Sequence, residues 1–267
     1  MGLARFFSGL FAKKHKRIGL ALGSGGAKGF AHIGALKAFS EEGIEFDIVA
    51  GTSIGSIVGG MYACGYGWKE MLGLFREYDI IDPKKFLTYA FKKNTVTSLL
   101  DEILGGKHFE DTDIPFAAVA ADIDDGRQVV IRSGDIASAM AASGAVPPVF
   151  RPVTRDGKRL VDGACLNAVP ADVVKSMGAD VVISINLSSE NTNERMKGFL
   201  DTLYKGHKIV LCDRLKAGRD HSDVFLSPDL SAFRSTSFSS GNEIFEIGYE
   251  CVKIEMPEIK RAIGVGK

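Results

Sequence analysis

Short runs of uninterrupted apolar residues alternate, along the first part of the chain, with stretches whose apolar positions recur at helical spacing. Arg17-Ile-Gly-Leu-Ala-Leu22 is the first such run, ended by glycines, and it predicts a strand buried on both faces. From Lys28 to Glu42 the apolar residues Phe30, Ile33, Leu36, Ala38 and Phe39 follow helical spacing until Gly43 stops them. Phe46 to Ala50 reads as a second buried strand, and the turn Gly51-Thr-Ser-Ile-Gly55 leads into a predicted helix from Ile54 to about Ala63. Strand, helix, strand, helix is the signature of a parallel sheet covered on both faces.

Between Trp68 and Asp113 the periodicity loosens around Pro83, the pair Lys92-Lys93 and Gly105-Gly106, which predicts an insertion that could serve as a cap. Ile114–Ile123 and Arg127–Arg132 flank Asp124-Asp-Gly126, a hairpin by turn chemistry. A small-residue helix over Ala137–Ala142 comes next, then a short strand Arg159–Val161 that runs into Asp162-Gly-Ala164. A helix over Pro170–Met177 and a buried strand over Asp180–Leu187 follow. Arg195–Ala217 and Glu243–Ala262 read as surface helices, separated by the strand-like Asp223–Ser227 and the polar Ser231–Ser240. No repeat and no second boundary is visible. The expectation is one α/β domain over residues 17–267, preceded by an N-terminal tail over 1–16.

Composition narrows the function classes. A chain of 267 residues, 45% hydrophobic and 25% charged, can build a sizeable core. Lys plus Arg and Asp plus Glu both total 33, so no global field recruits nucleic acid. Cys64, Cys165, Cys212 and Cys251 lie far apart with no CxxC pair, which reads as reduced thiols in a reducing compartment and as no metal site. No run of roughly 18 apolar residues spans a bilayer. In the tail, Leu3, Phe6, Phe7, Leu10 and Phe11 share one helical side ahead of the basic run Lys13–Arg17. That order is the reverse of a secretory signal, and Phe6 breaks a myristoylation motif at Gly2. The expectation is a cytoplasmic chain whose tail is either frayed or peripheral at an anionic membrane.

Two glycine turns carry candidate chemistry. Gly51-Thr-Ser53-Ile-Gly55 fits G-x-S-x-G between a strand and a helix, the context of a nucleophile elbow centred on Ser53. Gly23-Ser-Gly25-Gly26-Ala-Lys28-Gly29 is a second strand-to-helix turn. It fails as a Walker A loop and fits a dinucleotide loop only loosely, but adjacent glycines also suit an oxyanion hole made of the Gly25 and Gly26 amides. If the strands from Ile18 and Phe46 are neighbours, both turns lie at one carboxyl edge of the sheet. The base is less clear. Of the histidines, His207 and His221 follow Asp162 as a Ser-acid-His order requires, while His32 reads as packed or supporting. Asp162 itself sits directly after a strand, in a sharp turn that would aim its carboxylate.

Taken together, Gly23-Ser-Gly-Gly-Ala-Lys-Gly29, Gly51-Thr-Ser-Ile-Gly55 and Asp162-Gly-Ala164 resemble the patatin-like phospholipase family in order and context, over roughly residues 17–187. Ala142-Ser-Gly-Ala-Val-Pro147 with Phe150 and Pro152, Asn167 with Pro170, and Gly178-Ala-Asp180 extend the likeness, which is nearest to compact bacterial members. The resemblance implies a three-layer α/β/α fold with a mostly parallel central sheet, and a Ser-Asp dyad without a catalytic histidine. Ser53 would be the nucleophile, Asp162 the general base, and the amides of Gly25, Gly26 and Ile54 the oxyanion donors. Gly23, Lys28, Gly51, Gly55 and Gly163 would support these motifs. It further implies a lipid or acyl-ester substrate, with phospholipid or lysophospholipid first, and no cofactor.

Other features are weighed lower. Asp122, Asp124 and Asp125 resemble a calcium loop, but Gly126 comes too early and a hairpin turn explains them. Lys84-Lys85 and Lys92-Lys93 with Phe86, Tyr89 and Phe91 could touch lipid or simply form a solvated helix face. Two functions of other classes stay in view. One is a nucleotide-binding protein using Gly23–Gly29, with Asp47 on a ribose; the other is a catalytically idle membrane adaptor on the same fold.

Overall fold

In the computed structural model, which describes residues 16–77, 95–188 and 215–265, the apolar runs become strands of one eight-stranded sheet. Along the chain these elements are β1 (Ile18–Leu22), α1 (Phe30–Glu41), β2 (Ile48–Thr52), α2 (Ile54–Ala63), α3 (Trp68–Glu77) and α4 (Thr95–Leu104). They continue with β3 (Phe116–Asp122), β4 (Arg127–Ile131), α5 (Ile136–Ser143), β5 (Val153–Arg155), β6 (Lys158–Asp162) and α6 (Ala171–Ser176). The last are β7 (Val181–Ile185), β8 (Val224–Leu226) and α7 (Gly241–Ile263).

The order across the sheet is β5-β6-β3-β2-β1-β7-β8, with β4 also paired to β3. The five strands from β3 to β8 along this path run parallel; β4 and β6 run against them, each antiparallel to β3, and β5 is antiparallel to β6. All five residues of β1, β2 and β7, and all seven of β3, are buried. Successive side chains therefore feed two cores, as the two-residue period of a strand requires. Leu20, Leu22, Val49, Phe116, Ile183 and Ile185 face the larger core under α1, α2, α5 and α7. Ala21, Ile48, Ala50, Ala117 and Val182 face the smaller one beneath α6 and Leu215. The architecture is thus a three-layer α/β/α fold on a mixed, mostly parallel sheet.

Two expectations change. The described parts of 68–113 join the larger core through Met71, Phe75, Leu100 and Leu104 rather than standing off as a cap. The segment expected as a surface helix over Glu243–Ala262 is α7, which buries Ile244, Phe245, Gly248, Val252, Met256, Ile259 and Ile263. Its backbone crosses α1 closely at glycines: a Cβ on Gly34 would overlap the Phe245 carbonyl, and one on Gly248 the Ala31 carbonyl. Lys253 and Lys260 then clamp Glu42 at 2.6 and 2.7 Å, just past the end of α1. Of the helix expected over Arg195–Ala217, only residues from 215 onward are described. The tail up to residue 15, His207, and the cluster Lys84, Lys85, Phe86, Tyr89, Phe91, Lys92 and Lys93 lie outside the described residues. No helix among the described residues is long and apolar enough to cross a membrane.

Candidate active site

Strands β1 and β2 are parallel neighbours, with Leu22 opposite Gly51. The turns that follow them therefore emerge side by side at the carboxyl edge of the sheet, where ligands of open α/β sheets bind. They interlock. A Cβ on Gly55 would overlap the Leu22 carbonyl, and one on Gly29 would overlap the Ile54 side chain. Gly51 has no room either, because its Cβ would meet the Gly55 carbonyl one turn ahead. The glycine spacing of the elbow is thus a packing requirement between the two turns.

Ser53 occupies φ 56, ψ −126. A non-glycine residue at positive φ is strained, typically by about 1–3 kcal/mol, and persists only where its surroundings over-determine it. Here the surroundings are explicit. The Ser53 amide donates to the Ser143 hydroxyl at 2.9 Å, and its carbonyl accepts from the Ser56 hydroxyl at 2.7 Å. Ile54 opens α2 immediately afterwards, so the helix N-terminus, with its unpaired amides and partial positive charge, lies beside the Ser53 side chain.

Asp162 ends β6, paired opposite Ala120 of β3. The following turn is tight because Gly163 lies against the Val119 carbonyl, which leaves no space for a Cβ. One Asp162 carboxylate oxygen accepts the Ala164 amide at 2.8 Å, and the Ser53 hydroxyl lies near enough to the carboxylate to favour its charged form. Asp162 is only 2% exposed. Burial pushes its carboxyl up to about 6, against the opposing pull of the Ser53 hydroxyl and the Ala164 amide. A further tie joins the two turns: the Thr52 hydroxyl donates to the Asn167 carbonyl at 2.9 Å, and the Asn167 side chain is held by Asp172 at 2.7 Å.

The first glycine turn leaves two amides without an acceptor among the described residues. Gly23 N–H is taken by the Ile185 carbonyl, Ser24 N–H by Ala168 and Ala27 N–H by Ser235. The amides of Gly25, Gly26 and Ile54 have no hydrogen-bond acceptor among the described residues. Gly26 sits at φ 58, where a side chain would both strain the backbone and strike the Ser235 carbonyl. Lys28 is buried behind the loop. His32 is wholly buried, its Nε2–H donating to the Gly23 carbonyl at 2.8 Å while Nδ1 has no partner. Burial pulls its pKa down to about 4, so it is neutral at ordinary pH. It braces the glycine turn and does not touch Ser53.

Several sequence expectations resolve against this geometry. Ser53, Asp162, Gly25, Gly26 and Ile54 converge, whereas His108 and His221 are exposed and make no bond to Ser53. Asp47, expected on a ribose in the nucleotide reading, precedes β2 at the opposite edge of the sheet, where it accepts the Ile18 amide at 2.7 Å. A strand's length separates it from the glycine turn, so Asp47 cannot make that ribose contact. A cavity of about 340 Å³ lined by Leu36, Phe39, Phe46 and Tyr62 also lies at that far edge. Among the described residues no group of three His, Cys, Asp or Glu side chains could hold a metal ion. Sequence reasoning missed Ser143 and Ser235. Ser143 lay inside a quoted motif without a role; Ser235 lay in a polar stretch with no signal at all.

The sequence model of the family described as patatin-like phospholipase matches residues 20–175, a span that includes both Ser53 and Asp162. The chain is 29% identical to patatin-like phospholipase domain-containing protein 6 of Mus musculus, over 87% of this chain and 20% of that protein. It is 30% identical to domain-containing protein 7 of Rattus norvegicus, over 93% of this chain and 21% of that protein. An uncharacterized NTE family protein of Mycobacterium tuberculosis (strain H37Rv) is 34% identical over 64% of this chain and 49% of its own length. The chain thus spans about a fifth of the mammalian relatives and about half of the mycobacterial one. Among solved structures, VipD of Legionella pneumophila superposes with a TM-score of 0.59 at 13% identity, over 93% of this chain and 67% of that one. The type III effector ExoU gives 0.50 at 15% identity, over 93% and 53%. At these identities the likeness is one of fold.

Proposed function

The chain belongs to the patatin-like phospholipase family, and on that premise we propose that it hydrolyses fatty-acyl esters, phospholipid or lysophospholipid, through an acyl-enzyme on Ser53. The observation that carries the proposal is the meeting of a strained Ser53 with a buried carboxylate that feels its hydroxyl and whose pKa is raised to about 6. An ordinary aspartate, with a pKa near 4, is a weak base for an alcohol; a carboxylate titrating nearer the working pH is better matched.

In this mechanism Ser53 Oγ attacks the acyl carbonyl carbon as its proton passes to Asp162. The carbonyl oxygen, now negative, takes the amides of Gly25 and Gly26, with that of Ile54 alongside. Each such donor is worth on the order of 3 kcal/mol in a dry, preorganised site. Collapse of the tetrahedral intermediate expels the alcohol, which leaves with the proton from Asp162. Water then attacks the acyl-enzyme and gives a proton to Asp162, and Ser53 departs with that proton, restoring the starting state. Neither a cofactor nor a histidine is needed to balance these steps.

The test is a panel of esters of graded acyl length, including lysophospholipid, run on wild type, Ser53→Ala and Asp162→Asn. The expected result is turnover by wild type that Asp162→Asn loses by about 10²–10⁴-fold, the range for removing a positioned acid–base group, and that Ser53→Ala, which lacks the nucleophile, loses at least as far. Equal hydrolysis by wild type and Ser53→Ala would overturn the proposal and favour an idle adaptor, the residual rate then belonging to a contaminant.

A further inference from the structure

Ser143 is a wholly buried hydroxyl at the last residue of α5, and the mechanism just given does not use it. Its oxygen accepts the Ser53 amide at 2.9 Å, and its proton goes to the Val119 carbonyl at 2.6 Å. Two residues on, the Ala145 carbonyl accepts the Asp162 amide at 3.0 Å. One short segment, 143–145, thus grips the backbone of both members of the candidate dyad. Its anchor is the middle of β3, where Val119 stands opposite Thr52 at the end of β2 and where Gly163 packs on the same Val119 carbonyl.

The donors have a consequence. In a nucleophile elbow the amides nearest the nucleophile are candidates for the oxyanion hole. The Ser53 amide is withdrawn from that duty, because Ser143 holds it on the side of β3. The hydroxyl is suited to this, since it can accept from one backbone group while donating to another, leaving neither buried group unpaired. Alanine at 143 would orphan both the Ser53 N–H and the Val119 carbonyl beside a residue already at φ 56.

We infer that Ser143 is a positioning residue of the hydrolase. It holds the strained backbone of Ser53 so that the Ser53 hydroxyl meets Asp162, and it acts through that backbone without touching substrate. The inference rests on the reading of Ser53 as nucleophile. Misplacement of a reacting group by about 1 Å is enough to lower a rate about 10²-fold.

The experiment measures the rate of fluorophosphonate labelling of Ser53, together with kcat and KM on one ester, in wild type, Ser143→Ala, Ser143→Thr and Ser184→Ala. Ser184 is equally buried and bonded to Ser222 at 2.6 Å on β7, so it matches the loss of a buried hydroxyl away from the elbow. The expected result is a labelling rate and kcat lowered about 10–100-fold in Ser143→Ala with KM within threefold. Ser143→Thr, which keeps the hydroxyl, restores most of the rate, and Ser184→Ala stays within twofold of wild type. If Ser143→Ala does not fold, Ser143→Cys replaces it, with a rate at least tenfold below wild type expected from the weaker sulfur contacts. A Ser143→Ala or, in its place, Ser143→Cys protein that labels as fast as wild type overturns the inference alone. So does a Ser184→Ala protein slowed as much as Ser143→Ala. A wild-type protein with no adduct on Ser53 overturns the hydrolase reading and the inference with it.

Discussion

Asp162→Asn should lower turnover by about 10²–10⁴-fold and at the same time make the protein more stable at neutral pH. Burial moves the Asp162 carboxyl from 3.8 up to about 6. At about 1.4 kcal/mol for each pH unit, that displacement amounts to about 3 kcal/mol. The folded pKa is raised, so the folded chain holds this proton more tightly than the unfolded chain. The contribution is therefore fully present below about pH 4, declines as pH rises towards about 6, and is absent at pH 7 and above. An asparagine does not ionise and escapes the loss. Its carbonyl oxygen can still accept the Ala164 amide, but its NH₂ needs an acceptor, which offsets about 1 kcal/mol. The net expectation is a gain of about 2 kcal/mol at pH 7–8, or roughly 4–8 °C in Tm for a domain approaching this size. Urea unfolding of both proteins from pH 4 to pH 8 is the assay. The gap should open between pH 4 and 6 and then hold level. A variant no more stable than wild type at pH 8, or a gap independent of pH, would refute the claim that the site holds this carboxylate at a cost to folding.

Other consequences are testable by simple substitutions. Gly55→Ala drives a Cβ into the Leu22 carbonyl, whereas Gly43→Ala, at φ 66, meets nothing within 4 Å. The second should cost only the left-handed penalty of about 1–2 kcal/mol, and denaturant unfolding should find the first clearly larger; equal costs would contradict the interlocked turns. Glu42, held between Lys253 and Lys260, has its carboxyl lowered from 4.5 to about 2. A folded pKa below the unfolded one gives stability present above about pH 4.5 and lost as pH falls towards 2. Glu42→Gln should therefore lower Tm at pH 7, less so in high salt and not at all below pH 2. A Tm difference that ignores both salt and pH would argue against the ion pairs.

How much of this was legible in the chain depends on the distance over which each feature is specified. The helix Ile54–Ala63 and the strands β1, β2 and β7 follow from local runs of apolar residues bounded by glycine, and they were read within two residues or better. The tight turns that carry Ser53 and Asp162 were legible because their glycines announce close packing. β5 (Val153–Arg155) was not, since it is three residues long, only partly buried and lacks an apolar run. The apolar stripe of α7 is legible in its spacing, but the close crossing with α1 was not, because it passes through Gly34 and Gly248, which hydropathy patterns do not count as core. The Ser143–Ser53 and Ala27–Ser235 bonds join residues 90 and about 200 positions apart through a backbone group. A backbone partner leaves no trace in residue type. Asp47 misled for a related reason: sequence spacing to the glycine loop cannot tell which end of a strand a residue occupies.

The most direct measurement is the pH dependence of fluorophosphonate inactivation, with the adduct mapped by mass spectrometry. If an ionised Asp162 receives the Ser53 proton, the modified peptide carries the phosphonyl group on Ser53, and the rate climbs from pH 4.5 to a plateau with a midpoint at about 6. Modification at another residue, or a rate on Ser53 that is flat across that interval, would contradict the account.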